Sequence, residues 1–199
     1  MEGAGKTSQI ALLRRDLEGS GHRISVTREP GGDPVAEAIR DVLLNTREPV
    51  TPPAELLLFM ASRAQMVERV LRPRLEAGEV VLCDRFTDSS VAYQGYGRGL
   101  DLDAIRMLNA FATGGIVPDC TLVLDLPALA GLARQKERNR MEEESLAFHE
   151  RVRAGYLEEA RREPERISII DAARSVEAVH EDVRTVVMET LARSGRQRT

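Results

Sequence analysis

The chain has 199 residues, of which 42% are apolar and 30% charged, with a formal net charge of −4. That length is one domain able to bury a core, and the balance is that of a folded globular protein rather than a disordered chain. The acidic sign leaves no global basic footprint for nucleic acid, and no apolar run reaches the length of a bilayer span or follows a signal-peptide pattern; the expectation is a cytoplasmic protein with neither nucleic acid nor membrane as partner.

The first segment, Glu2-Gly3-Ala4-Gly5-Lys6-Thr7, carries the last positions of the phosphate-loop pattern G-x-x-x-x-G-K-[ST]. Gly3 and Gly5 let backbone N–H groups converge on phosphate oxygens, and the helix that follows adds its positive end. Lys6 can reach terminal phosphates, and the Thr7 hydroxyl can ligate Mg²⁺. A helix over Lys6–Glu18 is expected, with Ile10, Leu13 and Leu17 on one face. The first glycine of the pattern would lie one position ahead of Met1, and no strand precedes the loop. Such a strand is central, and its loss would leave buried backbone groups unpaired at about 1–3 kcal/mol each, against a domain stability of about 5–15 kcal/mol. The numbered chain is therefore expected to start late, by roughly ten residues of strand and loop.

Further along, strands are expected at Arg23–Thr27, Val80–Cys83, Thr121–Leu126 and Ile167–Ile170. Helices are expected at Pro34–Leu44, Ala54–Ala77 (with a kink or break at Pro73), Asp103–Ala112, Ala128–Arg138, Leu146–Arg161 and Val176–Ala192. Short apolar strands between helices indicate an α/β fold, a parallel sheet covered on both faces. Cys83 and Cys120 read as core residues of a reducing compartment. His22, His149 and His180 lack metal-ligand spacing. The run Ala54–Leu71 is apolar around most of its circumference, which calls for burial on more than one side, by a neighbouring helix or by a second copy of the chain.

Several polar residues stand at strand ends, where ligands gather in open α/β sheets. Arg28-Glu29-Pro30-Gly31-Gly32 forms a rigid turn after one strand, and Asp84-Arg85 follows another. Phe59 and Arg63, four apart, share a helix face and can stack on and bond to a base. Arg134, Lys136, Arg138 and Arg140 lie among glutamates, either as a solvated helix or as a lid that closes over a nucleotide.

The segments Thr27–Gly32, Phe59–Ala64, Asp84-Arg85-Phe86, Ala92-Tyr93-Gln94-Gly95 and Gly97-Arg98-Gly99, in this order behind a phosphate loop, resemble bacterial thymidylate kinase over nearly the whole chain. The resemblance implies a three-layer P-loop NTPase fold, normally of five strands, with the central first strand absent from this chain. It implies one kinase domain over residues 1–199, with a lid at about 134–145. It also implies transfer of the γ-phosphate of ATP to dTMP, Mg²⁺ as cofactor, and a homodimer. ATP would be held by Gly3, Ala4, Gly5, Lys6, Thr7, Arg134, Arg138, Arg140 and the Asp171 loop, and Mg²⁺ by Thr7 and Asp84. dTMP would be held by Glu2, Glu29, Phe59, Arg63, Arg85, Ser90, Tyr93, Gln94 and Arg98, with Tyr93 at the deoxyribose and Ser90 and Gln94 at the base. Lys6, Arg85, Arg140, Glu2 and Asp84 would carry catalysis. Because Gly3 stands where some relatives have a loop arginine, the lid would supply that charge, with Arg140 matching best. Two alternatives stay open: a dTMP-binding protein with a defective phosphate loop, and a kinase for another nucleoside monophosphate.

Overall fold

A computed structural model of the chain describes residues 2–134 and 139–197. Helix α1 (Lys6–Gly19) begins directly behind Gly5, whose φ of 85° turns the loop into the helix. Strand β1 (Ile24–Arg28) leads to α2 (Pro34–Asn45), capped by the Asp33 side chain accepting from the Val35 N–H at 2.9 Å. Where a kink or break is expected near Pro73, helix α3 (Pro52–Met66) is distorted but not interrupted. It widens through a π-helical turn at Val67–Leu71 and continues as α4 (Arg72–Glu76). Pro73 falls in the first turn of α4, and the widened turn ahead of it accommodates the missing N–H.

Strand β2 (Val80–Asp84) is followed by a helical stretch that the sequence pattern does not reveal, α5 (Thr87–Ser90) running into a second π-helical segment, Val91–Gly97. Helix α6 (Leu102–Thr113), strand β3 (Thr121–Asp125) and α7 (Ala128–Ala133) come next. The helix expected over Ala128–Arg138 thus stops early at Ala133, and Lys136 and Arg138 lie outside the described residues. Helix α8 (Leu146–Arg162), strand β4 (Ile167–Asp171) and α9 (Val176–Gln197) complete the chain.

The strands pair in parallel, Ile24 with Val80 through Arg28 with Asp84, and Thr121 with Ile167 through Asp125 with Asp171. Among the described residues the two pairs are separate two-stranded sheets. The main core joins Leu13 and Leu17 of α1 to Val123 and Leu124 of β3, Ile167 and Ile170 of β4, and Val179 and Val183 of α9. Each such fully buried aliphatic contributes about 1.5–3 kcal/mol. A second cluster, Leu56, Met60, Val91 and Ile105, packs α3 on α6 and holds the Val91–Gly97 segment between them. Cys83 and Cys120 are free thiols. No helix among the described residues is long and apolar enough to cross a membrane.

Candidate active site

The carboxyl ends of β1 and β2 open on a cavity of about 1050 Å³. One wall is the loop Glu2–Thr7 together with Arg134; the other is Glu29, Phe59, Arg63, Ser90, Tyr93 and Gln94; Asp84 and Arg85 stand between them.

The loop wall depends on a close backbone approach. Gly3 has φ 59°, and a Cβ there would lie 2.1 Å from the Gly131 carbonyl oxygen. A Cβ on Gly131 would in turn lie 2.3 Å from the Glu2 oxygen. Paired glycines therefore let α7 carry the loop. Arg134, at the end of α7, donates to the Gly3 carbonyl at 3.3 Å.

Arg85 is the only non-glycine described residue with positive φ, 70°, a conformation that costs energy and is held in place by its surroundings. Its guanidinium pairs with Glu2 Oε1 and lies 4.9 Å over the Tyr93 ring. The Tyr93 hydroxyl donates to the same Glu2 oxygen at 2.6 Å. Burial pushes the Glu2 carboxyl up, but the Arg85 and Lys6 charges and the Tyr93 hydrogen bond outweigh it and hold it well below the usual carboxylate range. Burial and the nearby Arg85 charge lower the Lys6 pKa against the opposing pull of Glu2, Asp84 and Glu142. Asp84 Oδ1 is buried with no hydrogen-bond partner.

The wall opposite the loop is tied by buried charge. The Arg63 and Glu29 side chains are 1% and 3% exposed. Arg63 Nε donates to Glu29 Oε2 at 2.8 Å, Nη1 to Ser90 Oγ at 3.0 Å and to Asn109 Oδ1, and Nη2 to Glu29 and to the Phe86 carbonyl at 3.2 Å. All five guanidinium N–H groups are thus engaged by protein. Burial raises the Glu29 pKa, and the Arg63 charge works against it. Arg63 lines the cavity as expected, but as the tie between β1, α3, α5 and α6 rather than as a free donor for a base.

Three expected residues lie off the cavity lining. Arg140 donates from Nε to the Leu43 carbonyl at 2.8 Å and from Nη2 to Glu55 Oε2 at 2.8 Å, so the arginine expected at the transferring phosphate is held on α2 and α3 instead. Arg98 pairs with Glu55 at 3.0 Å and Glu144 at 2.6 Å and lies 4.7 Å over the Phe148 ring. Asp171 Oδ1 accepts from the Ala173 N–H at 2.9 Å, turning the chain after β4. Of Arg134 and Arg140, the described arginines of the expected lid, Arg134 lines the cavity. Arg138 lies outside the described residues.

Sequence reasoning left Glu55 without a role, although Glu55, Phe59 and Arg63 recur at i, i+4, i+8 on one helix face. It also missed Asn109, whose side chain closes the Arg63 network.

A glycine-turned loop at a helix start, a basic cluster facing it and a second cavity wall beyond define a P-loop nucleotide phosphotransferase. The family model described as thymidylate kinase matches residues 1–183, and the chain belongs to that family. It is 51% identical to a thymidylate kinase of Desulfovibrio desulfuricans, covering 98% of this chain and 95% of that protein. It is 52% identical to one of Gloeobacter violaceus, covering 94% and 90%. The crystal structure of thymidylate kinase from Ehrlichia chaffeensis superposes with a TM-score of 0.78 at 31% identity, covering 94% of both chains.

Proposed function

We infer that the chain transfers the γ-phosphate of ATP to dTMP, giving dTDP, with the Glu2–Thr7 loop and Arg134 as donor wall and Glu29, Phe59, Ser90, Tyr93 and Gln94 as acceptor wall. The observation that carries this reading is the Glu2–Arg85–Tyr93 cluster, set between the phosphate loop and the aromatic wall. The acceptor phosphate is largely a dianion near neutrality, its second pKa being about 6, so the attacking oxygen needs no general base. Glu2, held ionised, is accordingly a positioning group: it aims the Arg85 guanidinium and the Tyr93 hydroxyl. Lys6 and Arg85 set positive charge where the phosphoryl group passes, and Arg134 adds a third from the lid side. Phe59 supplies a stacking face, and Tyr93 crowds the sugar against a 2′-hydroxyl.

Thr7 and Asp84 fit a divalent cation. A buried carboxylate oxygen with no hydrogen-bond partner suits a hard cation or its water, and the Thr7 hydroxyl is exposed at the helix start. Bound there, Mg²⁺ supplies charge neutralisation on the polyphosphate.

Arg140 is assigned to holding residues 139–145 against α2 and α3. A homodimer fits the exposed apolar face of the packed helices α3 and α6, where Leu57, Met107 and Phe111 are 57%, 67% and 86% exposed. Sedimentation at micromolar concentration checks it, and a clean monomer contradicts it.

The test of function is ADP release in a coupled assay. It should require ATP and dTMP together; turnover with dCMP, AMP or GMP as efficient as with dTMP, or none with dTMP, would defeat the reading.

A further inference from the structure

Glu55 is fully buried, and its carboxylate gathers four hydrogen bonds from three side chains. Oε1 accepts from Gln94 Nε2 at 3.0 Å and from Arg98 Nε at 3.1 Å; Oε2 accepts from Arg98 Nη2 at 3.0 Å and from Arg140 Nη2 at 2.8 Å. Burial alone would raise its pKa, but the hydrogen bonds from Arg98, Gln94 and Arg140 outweigh burial and lower it, so the group stays a carboxylate. An ionised carboxylate only accepts hydrogen bonds. The Gln94 amide must therefore turn its NH₂ to Glu55, which decides an orientation that amide geometry alone leaves ambiguous. Its other end, Oε1, has no protein donor among the described residues and is not among the sealed, unpartnered atoms, while Gln94 lines the acceptor cavity. The cavity is thus offered the Oε1 acceptor, while one of the two Nε2 donors is committed to Glu55.

We propose that Glu55 is a specificity-positioning residue: by fixing the Gln94 side-chain amide it sets Oε1 towards the acceptor base and selects pyrimidines that carry N3–H over those whose N3 is itself an acceptor. The inference rests on the acceptor-wall reading above. Thymine and uracil offer N3–H to Oε1. Cytosine sets a lone pair against it, leaving two facing acceptors unpaired in a desolvated site. The Glu55→Gln variant can turn either amide end to Gln94, so Gln94 becomes free to rotate its NH₂ into the cavity.

The test compares kcat/KM for dTMP with that for 5-methyl-dCMP, which shares the methyl group and differs only at N3 and C4. Glu55→Gln should lower the dTMP preference by about tenfold or more, since removal of an oriented hydrogen-bond partner relaxes discrimination on at least this scale. Glu55→Asp, which keeps the carboxylate, should retain most of the preference. If thermal melts show that Glu55→Gln does not fold, the Glu55→Gln/Arg140→Gln pair removes one charge of each sign and is measured instead; a common loss of turnover cancels in the ratio. A merely structural Glu55 would lower both substrates together. An unchanged ratio in a folded variant overturns the proposal. Wild-type protein that fails to phosphorylate dTMP defeats the acceptor-wall reading itself, a separate result.

Discussion

The two walls of the cavity are built from different materials. The wall opposite the loop is held by ion pairs: the buried Arg63–Glu29 pair on the lining itself, and behind Gln94 the buried Glu55 with the half-buried Arg98 and Arg140. The donor wall is backbone: a turn whose Gly3 lies against Gly131, a helix start, and an exposed Thr7. Between them lies a strained Arg85 and an Asp84 oxygen without a partner. Fixed ion pairs give one wall a shape that stands without ligand contacts. The other wall offers N–H groups and a hydroxyl whose value lies in where phosphate and cation charge will sit. Changes to the first wall should therefore be felt as stability and dTMP affinity, and changes to the second as turnover.

The largest effect is expected at Arg63. Arg63→Ala leaves Glu29 buried without its cation and should cost about 3–5 kcal/mol in urea unfolding. In whatever fraction remains folded, KM for dTMP should rise far more than KM for ATP; equal rises would remove Arg63 from the acceptor wall.

On the donor side, Gly3→Ala forces the loop off Gly131 and should lower kcat by about 10²-fold, the scale of an ångström-sized misplacement. Its dTMP affinity should be nearly unchanged. A kcat within twofold of wild type would mean that loop placement is not what positions the donor.

Asp84→Asn keeps the shape but weakens the unpartnered oxygen as a cation ligand. The Mg²⁺ concentration for half-maximal turnover should rise about 10- to 100-fold, the range seen when groups supporting a metal site are changed. Unfolding stability should move little, and an unchanged Mg²⁺ titration would place the cation elsewhere.

A smaller effect is expected from acid. The Glu2 carboxyl titrates lower in the folded chain than in the unfolded one. Its contribution is therefore fully present above the ordinary carboxylate pKa of about 4.3 and is lost as pH falls through the lower folded value. Glu2→Gln should flatten the stability profile below about pH 4.3 and leave its shape near neutrality unaltered. Parallel acid limbs for the two proteins would show that the Arg85 pairing does not persist in solution.

The fold was legible in the sequence where local pattern and tertiary role coincide. Short apolar strands bounded by turn residues placed β1 to β4 within a residue or so at each end. The polar groups at the ends of β1 and β2 were legible because buried strands do not end in Glu29 or Asp84-Arg85 for packing. The stretch Thr87–Gly97 was not, since Val91 to Gly95 are all buried and a helix enclosed on every side shows no amphipathic period. The lid arginines were visible as a cluster, but their partners were not. Nothing near Arg140 in sequence points to Glu55, which lies 85 positions away. Arg63, expected on a ligand-facing helix face, does line the cavity, but its saturation was not legible, because Asn109 and the Phe86 carbonyl reach it only through the packing of α6 and α5.

The contrast between the walls is tested most directly by calorimetric titration of dTMP, without ATP, into wild type and Thr7→Ala. Thr7 belongs to the donor wall, and the acceptor wall is held by its own ion pairs. The two dissociation constants should agree within about twofold, a difference of less than 0.5 kcal/mol at about 1.4 kcal/mol per decade. A loss of dTMP affinity of about tenfold or more in Thr7→Ala would show that the walls form one coupled site and would contradict their independence.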